Sequence, residues 1–117
     1  REVNQSLTDA ILVLPDSLVV NAGAQIIEAS RREGIPIMFH EKTWVEQGGL
    51  ASYGASFLDL GRQAATYVDK ILKGVKPGDL PVQQPTTFEL VINQKAADAI
   101  GLTFPESILL RATEVIR

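Results

Sequence analysis

An α/β fold built on a parallel sheet in three layers is predicted for this chain of 117 residues, and three observations predict it. Two short uncharged runs, Ala10 to Leu14 and Ile35 to Phe39, flank one stretch of helical period. A strand buried on both faces reads as a continuous apolar run, whereas a strand with one wet face alternates. Both runs end in polar residues, Pro15-Asp16-Ser17 after the first and His40-Glu41-Lys42-Thr43 after the second. The third observation is Gly48-Gly49-Leu50-Ala51-Ser52-Tyr53-Gly54, a glycine-bounded stretch between this βαβ pattern and a long amphipathic helix. Glycine permits positive φ and close backbone approach, so such a stretch marks a sharp crossing or a contact surface.

The polar lead-in, Arg1 to Thr8, gives way to a first strand over Ala10 to Leu14. Leu18 to Glu33 then places Val20, Ala24 and Ile27 at three-to-four spacing, one helix with a buried side. Asp16, Ser17 and Asn21 are each suitable caps for it, and the sequence does not choose. Gly34 and Pro36 stop this helix. Ile35 to Phe39 follows as a second strand, parallel to the first through a right-handed crossover. Leu50 to Tyr53 is expected as a third strand, with a coil crossing or a turn as alternatives. From Ser56 to Lys73 a helix carries Phe57, Leu60, Ala64, Val68 and Ile71 on one face and ends at Gly74. Prolines 77, 81 and 85 mark a traversing linker. Phe88 to Ile92 is a further strand, capped into a short helix (Gln94 to Ile100) by Asn93. Pro105-Glu106-Ser107 opens a helical turn, and Ala112 to Ile116 is a strand or a tail.

The chain is long enough for one modest domain with a core. It is 45% hydrophobic and 21% charged, an ordinary globular composition, with a net charge of −3. An acidic balance with scattered lysines and arginines argues against nucleic acid. No apolar run reaches the ~20 residues that span a bilayer. With no cysteine, disulfide frameworks and thiolate metal sites are excluded, which fits cytoplasm or periplasm alike. Starting at Arg1 with neither Met nor signal segment, the chain is expected to be a mature product or an excised piece.

In open α/β sheets, ligands collect beyond the carboxyl ends of the strands, which makes Asp16, Ser17, Glu41 and Thr43 candidates from topology alone. Asp16 is equally suited to cap a helix. Tyr53 and Trp44 are rings able to stack on a ligand or to pack on the sheet. His40 is the single histidine, and a Ser-His-Asp arrangement would need it. No nucleophile elbow, phosphate loop or zinc-binding helix is present, so a small flavodoxin-like enzyme is disfavoured.

The pieces Asp9 to Asp16, Gly34 to Ile37, Gly48 to Gly54, Leu60 to Ala65, Lys70 to Gly74, Pro77 to Val82, Phe88 to Asn93 and Ala99 to Leu102, in this order, resemble one family. They are similar to the C-terminal portion of the ABC-transporter substrate-binding proteins that include tryptophan- and tyrosine-type binders. The resemblance implies a type I periplasmic-binding fold, Rossmann-like and partial here, in which two lobes close on a small solute. Mapped onto this chain, residues 10–47 belong to the second lobe, 50–80 to a segment of the first, and 86–117 return to the second. Gly48, Gly49, Pro81 and Pro85 are then hinge residues.

The implied function is the solute-binding component of an ABC importer, without enzymatic activity, cofactor or metal. Its solute is a small amino-acid-like molecule, aromatic ones included, held in an interlobe cleft, and its protein partner is the importer's permease. Asp16 and Ser17 receive the solute's amino group or a hydroxyl, Ser52 and Tyr53 lie at the cleft floor, and Glu41 and Thr43 stand at the neighbouring strand end. The alternative is a ligand-sensing module of a regulator or receptor with the same fold. The family's setting is periplasmic or membrane-anchored outside the cytoplasm, as in a lipoprotein. Because family members run to about three hundred residues, the chain alone is expected to pair with a second copy through the helix from Ser56.

Overall fold

The computed structural model describes residues 7–117. The start of the polar lead-in, Arg1 to Ser6, lies outside the described residues. Five strands and six helices occur in the order β1 (Ile11–Leu12), α1 (Ser17–Asn21), α2 (Gly23–Glu33), β2 (Ile37–Phe39), α3 (Thr43–Glu46), β3 (Ala51–Ala55), α4 (Phe57–Leu72), β4 (Phe88–Asn93), α5 (Gln94–Ala99), α6 (Glu106–Leu109) and β5 (Glu114–Ile116) among the described residues. A single 3₁₀ turn, Pro77–Asp79, follows α4. The chain forms two units: residues up to Gly54 together with Glu89–Arg117, and Ala55–Phe88.

The five strands make one sheet in the order β1-β2-β3-β4-β5. Ile11 pairs with Ile37 and Leu12 with Met38 in parallel. Met38 pairs with Ala51 and Phe39 with Ser52, again in parallel. Asn93 N donates to Leu50 O over 2.9 Å, and Ser56 N donates to Thr87 O over 3.0 Å. Partners that converge along the chain in this way make β4 antiparallel to β3. The parallel sheet of the sequence reading is therefore mixed at one junction, and β4 with β5 resumes a parallel pair. The physical reason is connectivity: the chain leaves the first unit along β3 and comes back along β4.

The core belongs to the first unit. Val13, Ile37, Phe39, Leu50, Ala51 and Ala97 form one buried cluster, against which Ile26, Ile27 and Ile100 pack. Burying each large member stabilises the unit by about 1.5–3 kcal/mol. Asn93, the expected cap, is buried; its side-chain oxygen accepts from Ala96 N and its Nδ2 donates to Val45 O at 3.2 Å. A buried amide that satisfies both the start of α5 and a carbonyl of the last turn of α3 ties the two helices together.

Two helical expectations are corrected. The helix expected over residues 18–33 is two, α1 and α2, parted at Ala22 (φ −100°, ψ 6°). The break sits beside Gly23, where an added Cβ would lie 2.0 Å from the Trp44 ring. The close seat of that indole thus requires glycine at a helix start, and glycine holds a helix weakly. Conversely, Thr43–Glu46 is helical although it carried no helical signal, because a four-residue turn is too short to show a period. Of the open alternatives, Leu50 to Tyr53 proved to be strand, and the chain end is strand β5.

The second unit is α4 and a strap that returns along it. Tyr67 OH donates to Pro81 O, and Gln63 Nε2 to Thr86 Oγ1 at 3.4 Å. Asp59, in the first turn of α4, pairs with Arg62 at 2.8 Å and is hydrogen-bonded to Thr87. Residues 59, 63 and 67 lie one turn apart, so a single polar stripe of the helix holds the strap. The Thr87 hydrogen bond first, and Arg62 second, hold the Asp59 carboxyl below its ordinary value. A lowered carboxylate pKa means that the anion is favoured in the folded chain. The stabilisation is present above the unfolded-state value near 3.8 and is lost as pH falls through the lower folded value. Below pH 4, the protection of the strap amides between residues 82 and 87, taken from the observed exchange rate relative to the intrinsic rate at the same pH, is expected to fall in the wild type, while an Asp59→Asn variant shows the lower protection already at neutral pH. Equal exchange in both proteins at pH 7 would remove this role.

Candidate solute-binding edge

The parallel strands β1, β2 and β3 bring their carboxyl ends to one edge of the first unit. Continuing the register past Phe39 and Ser52 sets Leu14, His40 and Tyr53 side by side there. Asp16 and Ser17 follow β1, Glu41 to Thr43 follow β2, and Gly54 follows Tyr53. Asp16, Ser17 and Thr43 are exposed.

Asp16 caps α1. Its backbone is extended (φ −148°, ψ 145°), and its Oδ1 accepts from Leu18 N at 2.8 Å. This decides the cap among the three residues left open. A carboxylate offers about four acceptor positions, so capping leaves most of them available to a cationic group. Glu41 accepts a hydrogen bond from the Thr43 hydroxyl, which ties these two candidates to each other.

Tyr53 and Ser52 separate. Side chains alternate along a strand, and Tyr53 is 57% exposed while Ser52 is 1% exposed. Ser52 stands in register with Phe39 and is buried in the first unit. Trp44 is likewise spent on packing. Its ring stacks on Phe39 with centroids 5.9 Å apart, and it also lies against Gly23 and the core cluster. Of the two rings considered from sequence, Tyr53 is the one that remains presented.

Gly54 is the residue whose role the sequence reading missed. A Cβ there would lie 1.9 Å from the His40 carbonyl oxygen, so β3 passes against the end of β2 at a separation only glycine allows. Its place in the glycine-bounded stretch was the available signal. Gly49, expected as a hinge, is held by space: a Cβ would meet the Phe39 ring at 2.7 Å and Trp44 O at 2.8 Å. Positive φ (106°) belongs to its neighbour Gly48. Both lie within the first unit. Pro81 and Pro85 lie within the second, on the strap bonded to α4. The chain itself passes between the units at Gly54–Ala55 and Phe88–Glu89.

Charge, hydroxyls and an exposed phenol ring on one strand edge are equipment for holding a small polar molecule by ion pairing, hydrogen bonds and stacking. An edge so equipped is of the kind that solute-binding proteins use. The sequence pattern of the ABC transporter substrate binding proteins matches residues 2–116, and the chain belongs to this family. A tyrosine-binding protein of Clostridioides difficile (strain R20291) is 29% identical over 107 residues, which cover 86% of this chain and 31% of that protein. An ABC domain from Streptococcus pneumonia, solved in complex with L-Trp, superposes with a TM-score of 0.85 at 37% identity, over 95% of this chain and 38% of that one. A conserved domain protein from Vibrio cholerae O1 biovar El Tor gives a TM-score of 0.85 at 39% identity, over 92% and 36%. The chain thus spans about a third of the length of these relatives.

Proposed function

We propose that this chain is the C-terminal part of the solute-binding component of an ABC importer, working outside the cytoplasm. Its solute is a small amino acid with an aromatic side chain. The observation that carries the reading is the pairing on one strand edge of a carboxylate with free acceptor positions, Asp16, and an exposed ring, Tyr53. An α-ammonium matches the first and an aromatic side chain the second. Ser17, Glu41 and Thr43 supply the further polar contacts. The amino acids bound by the Clostridioides and Streptococcus relatives support the aromatic class. Delivery to a permease and attachment to a membrane surface complete the role. Among the described residues no helix is long and apolar enough to cross a membrane.

Isothermal titration of the full-length protein with L-tryptophan, L-tyrosine, L-leucine and L-glutamate tests the reading. Saturable heat with the aromatic pair and none with glutamate is expected; silence with all four would overturn it.

Taken alone, the 117-residue chain pairs with a second copy through α4. That helix has no buried residue, and Phe57 and Val68 on its apolar face are 61% and 55% exposed. A contiguous apolar stripe of this kind seeks cover. Sedimentation equilibrium at micromolar concentration is expected to return twice the chain mass, and the monomer mass for Phe57→Asp/Val68→Asp. A wild-type monomer would remove the pairing.

A further inference from the structure

We propose that His40 is a specificity-determining residue of the strand edge and donates a hydrogen bond to the carboxylate of the bound amino acid. The inference rests on the reading of that edge as an amino-acid site, and it adds the group that tells an amino acid from the corresponding amine. A free amino acid brings two opposite charges, and Asp16 answers only the ammonium. Glu41, the other carboxylate there, repels a second anion. The solute's carboxylate therefore needs a donor. Ser17 adjoins Asp16, at the ammonium end, and the Thr43 hydroxyl already donates to Glu41. The neighbouring cation, Lys42, lies 4.0 Å from the Glu46 carboxylate, and both side chains are exposed.

His40 stands where that donor has to be. The sheet runs β1-β2-β3, with Asp16 beyond β1, Tyr53 on β3 and His40 directly past β2 between them. Neighbouring strands lie about 4.8 Å apart, so a molecule that reaches from Asp16 to Tyr53 crosses the end of β2. The His40 backbone is held there by Gly54, whose approach leaves no room for a Cβ against the His40 carbonyl. Of the two ring nitrogens, Nδ1 is buried without a hydrogen-bond partner among the described residues, while the residue as a whole is half-buried. Nε2 is then the nitrogen able to meet a solute. Neutral imidazole carries one N–H and one acceptor nitrogen. Orphaned buried N–H groups are rarer than under-satisfied acceptors, so the proton belongs on Nε2 and the ring presents a donor to the edge.

Titration calorimetry of the full-length protein with L-tryptophan and with tryptamine, which lacks only the carboxylate, tests it. His40→Phe keeps an aromatic ring and removes the donor. Its affinity for L-tryptophan is expected to fall about 10- to 150-fold, the range for a hydrogen bond to a charged group. Its affinity for tryptamine is expected to stay within about threefold of the wild type, because the contacts to ring and ammonium are separate from the one removed. His40→Gln places an amide N–H at a similar reach and is expected to restore most of the loss. An equal fall with both ligands, as a merely structural role would give, would overturn the proposal, and so would an unchanged preference for the acid over the amine. A preference lost in Lys42→Met and kept in His40→Phe would also overturn it, in favour of the lysine. L-leucine with 3-methylbutylamine, run in the same way, keeps the two readings apart. Binding of the leucine pair alone would overturn the aromatic class, while the acid-over-amine preference of His40→Phe decides the role of His40 with whichever amino acid binds.

Discussion

Replacing Asp16 with alanine in the full-length protein is expected to weaken solute binding by about 2–5 kcal/mol, the range for removing one partner of a hydrogen-bonded charge pair. In affinity this is about 30-fold to several thousand-fold. Because Asp16 also caps α1 through Leu18 N, alanine is expected to cost about 1 kcal/mol of stability as well. Asparagine separates the two effects. It is as good a cap as aspartate, yet it carries no charge to meet an ammonium. Asp16→Asn should therefore melt like the wild type while losing most of the affinity that alanine loses. Unchanged affinity in both variants, measured by titration calorimetry with the fold intact, would leave Asp16 with the cap alone.

Gly54→Ala is expected to destabilise the protein by about 1–3 kcal/mol, the usual cost of forcing extra volume into a packed site. The added methyl would lie 1.9 Å from the His40 carbonyl oxygen. That neighbour is backbone and cannot rotate aside, so β3 must move. Tyr53, one residue earlier on the same strand, moves with it, so affinity for an aromatic solute should fall together with stability. Gly61→Ala is the control: a Cβ there meets nothing within 4 Å and replaces glycine inside a helix, where alanine is the better former. Denaturant melts that ranked Gly54→Ala with Gly61→Ala would show that β3 has room to shift.

Much of the first unit was legible before any coordinates. Continuous apolar runs ended by Pro15-Asp16 and His40-Glu41 announced β1 and β2, and the Gly34 stop and the Asn93 cap fell where the structure has them. These signals are local. A run of apolar residues reports a strand, a period of three to four reports a helix, and a cap reports a terminus. Burial does not follow: Leu12 and Leu14 of the first run are 68% and 66% exposed where burial on both faces was expected, because β1 is the outermost strand of the sheet. The family series, from Asp9 to Leu102, was legible for the same reason, since it is built from such segments in order.

What the chain order could not decide is which backbone lies against which. The direction of β4 depends on the passage out along β3 and back, and nothing in Phe88 to Asn93 alone distinguishes parallel from antiparallel pairing. Ser52 and Tyr53 are neighbours in sequence, and only the register with Phe39 sends one into the core and the other to the edge. Trp44 became a core ring because Gly23 and Phe39 converge on it from two other elements. The glycines show the same division: composition marked the stretch from Gly48 to Gly54, but the need for glycine at 49 and 54 comes from Phe39, Trp44 and His40, which reach these positions only when β2 and β3 pair. Sequence by itself determined most of the elements, those whose causes lie within a few residues, and not the break at Ala22 or the short helix Thr43–Glu46. Tertiary structure decided the contacts, because steric exclusion and strand register act between segments that the chain keeps apart.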